Sequence, residues 1–80
     1  MVLIKKKKVN EKIITYYYQP EGEGDCGVIT YVIKTGDFLI DKMSDRESKE
    51  FNMYRSKAFW FLKKFAESGE YPETKTIVWG

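Results

Sequence analysis

Three groups of residues in this chain are of types that could do chemistry. Glu21-Gly22-Glu23-Gly24-Asp25 alternates carboxylates with glycines, as the first half of a calcium-binding loop does. Lys5, Lys6, Lys7 and Lys8, with Lys12 close behind, precede Tyr16, Tyr17 and Tyr18. Lysines pair with phosphates and exposed aromatic rings stack on single-stranded bases, so this group points to nucleic acid. Asp41, Asp45 and Glu47 gather carboxylates that could serve as acid and base.

Each group also has a plainer explanation, which for the lysine run is a solubilising segment that guards an edge strand against aggregation. Counted from Glu21, a calcium loop needs glycine at its sixth position and glutamate at its twelfth; this chain has Cys26 and Val32 there. Three carboxylates also repel phosphate, so the segment reads as a solvated hairpin loop. Cys26 lies in it with no basic neighbour in sequence to activate it. Asp45 and Glu47 fit a helix start, where negative charge is favourable. The chain has no His and one Cys. That excludes His-based nucleophile pairs, His metal sites, zinc ribbons and an intrachain disulfide. The reading is not an enzyme, with no catalytic residue, no metal and no cofactor.

The elements that position these groups follow from punctuation and period. Eighty residues form one small α+β domain over 1–80, with residues 1–11 as a flexible basic N-terminal segment. A chain of this mass exposes roughly 5,000 Å² when folded, enough for one core and no second lobe. Residues 12–18 are β-branched or aromatic almost throughout and predict a strand. Residues 28–34 and 38–42 predict two more, joined by the hairpin signal Lys34-Thr35-Gly36-Asp37.

The period then changes to that of a helix. Ser44-Asp45-Arg46-Glu47 fits a capping box, and Phe51, Tyr54, Ala58, Phe61, Leu62 and Phe65 recur on one helical face. Gly69 and Pro72 end that helix, which would then run about 36 Å. Residues 75–79 predict a short last strand. The expected fold is therefore β-β-β-α-β, an antiparallel three-strand meander packed on one long helix.

A helix covers one face of a sheet and leaves the other. If Thr35-Gly36 forms the loop, Ile33 opposes Phe38 and Tyr31 opposes Ile40, and with Ile29 they bed the helix. Ile14, Tyr16 and Tyr18 continue that bed, unless the first strand slips by one residue. The far face then carries Ile13, Thr15, Tyr17, Val28, Thr30, Val32, Leu39 and Asp41, half of them apolar where a solvated face is normally polar. We read Ile13, Thr15, Tyr17, Val28, Thr30, Val32 and Leu39 as a self-association face making a homodimer; cover by Val2-Leu3-Ile4 and plain exposure of β-branched residues on a solvated strand are the competing arrangements. On the helix, Met53 and Trp60 point away from the apolar stripe. With Lys57 and Lys64 they form a second candidate patch for another protein. The lysines of residues 5–8 and Lys12 remain the candidate nucleic-acid contacts of the alternative reading.

The net charge of +2 is too mild to decide for nucleic acid by itself. No apolar run approaches the ~20 residues that span a bilayer. The first apolar residues precede the lysines, the reverse of an export signal. With a single Cys, these features place the chain in a reducing cytoplasm, away from membranes.

Overall fold

The computed structural model describes residues 1–79. Its elements run β1 (Val2–Val9), β2 (Ile13–Pro20), β3 (Gly27–Val32), β4 (Asp37–Lys42), α1 (Met53–Ser68) and β5 (Thr74–Ile77). All strands join one antiparallel sheet in the order β4-β3-β2-β1-β5, and α1 packs on one face of it over β1, β2 and β3. Phe38 and Ile40 of β4, expected beneath the helix, stay 47% and 44% exposed. The described residues expose 5009 Å², close to the size-scaling expectation.

The meander has four strands, not three. Residues 2–9 are neither flexible nor folded over the far face; they form β1, between β2 and β5. The four lysines hide this strand from a propensity count, but alternation permits it. Val2 and Ile4 enter the core with no exposure, while the lysine stems reach water from the sheet surface. Lys6 is the one lysine of the run turned to the helix side, where its ammonium meets Glu73 at 2.8 Å. The β1–β2 turn is closed by Asn10, whose side-chain oxygen accepts from the Lys12 and Ile13 N–H groups at 2.8 and 2.9 Å.

The β3–β4 hairpin differs from expectation by two residues. Tyr31 opposes Phe38 and Ile29 opposes Ile40, because the loop spans residues 33–36. Gly36, at φ 76°, donates its N–H to the Val32 carbonyl at 2.8 Å and closes it. A slip of two preserves which face each side chain takes. Ile14, Tyr16, Tyr18, Ile29 and Tyr31 all lie buried beneath α1, so the first strand has not slipped by one.

The helix begins at Met53 instead of Ser44, and its 16 residues span about 24 Å. The capping box does not form because each member is engaged elsewhere. Ser44 donates its N–H to the Tyr18 hydroxyl at 3.0 Å and its Oγ to the Asp25 carboxylate at 3.0 Å. Glu47 reaches forward, where Oε2 accepts from the Tyr54 and Arg55 N–H groups at 2.7 and 3.1 Å. It caps α1 from outside the helix, in place of Asn52, whose side chain makes no cap bond. Gly69 does end the helix, left-handed at φ 76°.

The buried helical stripe is Arg55, Ala58, Phe59, Leu62 and Phe65. It is turned from the expected face: Phe51 is exposed and precedes the helix, while Tyr54 and Phe61 flank the stripe. Phe59 belongs to it because Phe38 of β4 meets it at 4.7 Å between ring centres. The final strand is Thr74–Ile77, paired antiparallel with β1 from Val2↔Ile77 to Lys5↔Thr74. Among the described residues no helix is long and apolar enough to cross a membrane.

Candidate functional site

The face of the sheet opposite α1 is uncovered by any described element. Cross-strand pairing sets its rows. Lys5, Tyr17 and Val28 lie side by side, then Lys8, Thr15, Thr30 and Leu39, then Ile13, Val32 and Asp37. All seven residues of the sequence-derived face therefore occupy one continuous surface. Ile13, Tyr17, Val28 and Val32 are half-buried, and Leu39 is 47% exposed. Leu3, opposite Gln19 on β1, extends the apolar surface; the sequence reading omitted it because β1 was not recognised.

Two threonines at the centre of this face are 7% and 6% exposed, and their hydroxyls form a directed chain. Thr30 donates to Asp41 Oδ2 at 2.6 Å, so it must accept from Thr15 at 2.9 Å. A hydroxyl beside a carboxylate suggests a nucleophile and base, but burial closes Thr30 to a substrate. The chain satisfies polar groups under apolar neighbours.

A bulge brings the lysines into the site. Lys6 pairs with Tyr16 and Lys8 with Thr15, so Lys7 is the extra residue between them. Lys5 and Lys8 thus share the open face with Tyr17, and Lys7 holds its ammonium 5.9 Å from that ring. Lys6 precedes the bulge, and plain alternation from Lys5 turns it to the helix side. Lys12 sits in the β1–β2 turn, at the border of the face. Tyr16 and Tyr18 are fully buried on the helix side, so burial pushes each phenol up to about 12. Only Tyr17 of the three tyrosines is on the open face.

The charge of this face is uneven. Its β1 side carries Lys5, Lys7 and Lys8, and its β4 side carries Asp37 and Asp41, with Lys42 at the end opposite Val28. Cys26 borders a shallow hollow with Leu3, Lys5, Tyr17 and Gln19.

The second candidate patch is only partly assembled. Trp60 is 54% exposed and Lys64 lies over its ring at 4.9 Å. Lys57 turns instead to Trp79, 5.8 Å from that ring, and Met53 sits about 10 Å further along the helix. The patch therefore continues off the helix to Val78 and Trp79, residues assigned only to a strand from sequence. Their apolar run is the signal that could have found them. Among the described residues no three His, Cys, Asp or Glu side chains gather to hold a metal ion. Comparison with protein-family models, with curated proteins and with solved structures finds no match.

Proposed function

We propose that this chain is a non-enzymatic protein-interaction module that self-associates through the open face of its sheet. The observation that carries the reading is the contiguous surface of Leu3, Ile13, Tyr17, Val28, Val32 and Leu39, left uncovered on the sheet face opposite α1. A second copy is the occupant that suits it. With β2 at the centre of the sheet, a two-fold axis along β2 stacks β1 of one copy on β3 of the other. The basic side of each face then lies towards the acidic side of its mate. Two sheets packed about 10 Å apart could bury the standard area of roughly 800 Å² per partner. The single unpaired Cys fits a reducing cytoplasm as the setting.

Val32→Lys splits the dimer while leaving helix content intact. The new charge enters the apolar surface and faces the basic β1 of the partner subunit. Light scattering behind a sizing column measures it. The wild type runs at about twice 9.5 kDa and the variant at 9.5 kDa. A wild-type mass near 9.5 kDa well above micromolar concentration overturns the reading.

One observation favours a second reading, in which the same face binds single-stranded nucleic acid. The bulge sets Lys5, Lys7 and Lys8 around the exposed side of Tyr17. Asp37 and Asp41 oppose it, as does the burial of Tyr16 and Tyr18. An absorbance ratio at 260 and 280 nm that falls after a high-salt wash would support it, since phosphate contacts are salt-sensitive.

A further inference from the structure

A different surface has unpaired main chain at its centre. β5 ends the sheet, and among the described residues nothing pairs with its outer edge. The Lys6 N–H donates to the Glu73 carbonyl at 2.8 Å, which sets the alternation of the β1–β5 ladder. Counting from that bonded pair, Ile4 with Lys75 and Val2 with Ile77 exchange hydrogen bonds. Thr74 and Thr76 lie at the intervening pairs, so their N–H and C=O groups face outward. The opposite edge of the sheet is defended by a bulge at Asp41 that breaks the register of β4. The β5 edge has no such bulge.

Alongside this edge runs a groove between β5 and α1. At one end it is an open hollow of about 750 Å³ lined by Phe61, Lys64, Tyr71 and Lys75. At the other it is walled by Trp60 and Trp79. Three ammonium groups stand over the rings of this groove: Lys75 at 5.2 Å from Phe61, Lys64 at 4.9 Å from Trp60 and Lys57 at 5.8 Å from Trp79. Against them stand Glu70 on the lining and Glu67, 4.0 Å from Lys64 with both side chains exposed. The balance is basic.

We infer that the β5 edge takes an extended acidic segment of a partner protein as a sixth strand. The outward groups of Thr74 and Thr76 bond its main chain. Alternate side chains of the incoming strand then fall on the helix side, over the aromatic groove, where carboxylates meet the three lysines. A second copy of this chain is a poor occupant, because β5 against β5 would bring Lys64 and Lys75 of both copies together.

The test uses a fluorescein-labelled peptide alternating glutamate with valine, followed by fluorescence polarisation. Three comparisons decide it: the same peptide N-methylated on alternate amides, a lysine-for-glutamate peptide, and the Thr76→Pro protein. Proline at residue 76 removes an outward N–H and none bonded to β1. Saturable binding that weakens at least tenfold in all three comparisons is the expected result. No saturation up to about 1 mM, or a weakening below tenfold on N-methylation, overturns the proposal. The methylated probe keeps the test independent of how well the proline variant folds.

Discussion

Glu47→Gln should cost this protein about 3–5 kcal/mol, the loss typical of a buried ion pair deprived of one partner. The Glu47 side chain is fully buried and Arg55 is 8% exposed at 3.4 Å. One carboxylate serves two purposes there: it accepts the Tyr54 and Arg55 main-chain N–H groups, and it balances the guanidinium. Glutamine retains a carbonyl for the first purpose and has no charge for the second. Arg55 would keep its bond to the Ser48 carbonyl at 3.0 Å but lose its counter-charge. The pair itself need not be worth much, since an apolar pair of similar volume can match it. Glu47→Leu combined with Arg55→Leu should therefore cost less than the two single changes added together. Urea denaturation at fixed protein concentration measures the wild type and the four variants. A Glu47→Gln loss under about 1 kcal/mol would show that the charge is not needed at the helix start.

Leu62→Ala should cost about 2–5 kcal/mol, the range for emptying a leucine site in a close-packed core. Leu62 has no exposure and lies between Phe59 and Phe65 in the buried helical stripe. Beneath it the sheet presents Ile14, Tyr16 and Ile29, also unexposed, so little can shift to fill the space. Set against total stabilities of about 5–15 kcal/mol, the variant would approach the limit of folding. A loss under about 1 kcal/mol in the same denaturation series would mean that α1 is less tightly held than its burial implies.

The sequence showed the parts of this fold that local patterns control. Alternation in residues 13–18 and 28–32 separated helix-side from open-side residues, and it survived a two-residue error in the hairpin because the period is two. Gly69 marked the helix end through its own backbone conformation. What escaped was decided at a distance. No local spacing announces that Glu47 will cap a helix that starts six residues later, or that Ser44 will be held by Tyr18 and Asp25. β1 was hidden because its lysines lower its strand propensity, and the strand that encloses its second edge, β5, lies at the far end of the chain. The open face was legible as a set of residues. Its lysine side was not, since a bulge decides which lysines share it.

The position of β1 has a consequence for how the chain acquires its structure. Val2 pairs with Ile77, so the ladder that encloses β1 joins segments separated by almost the whole sequence. Closing a loop of that length costs about 4 kcal/mol in chain entropy, and contacts so remote slow folding. During synthesis β1 can pair with β2 early, but its other edge stays open until β5 emerges. An open strand edge invites pairing with a neighbouring chain. The four lysines sit in the strand that waits longest. Their charge repels like strands throughout that interval, and the run protects the nascent chain whatever partner the finished surface meets.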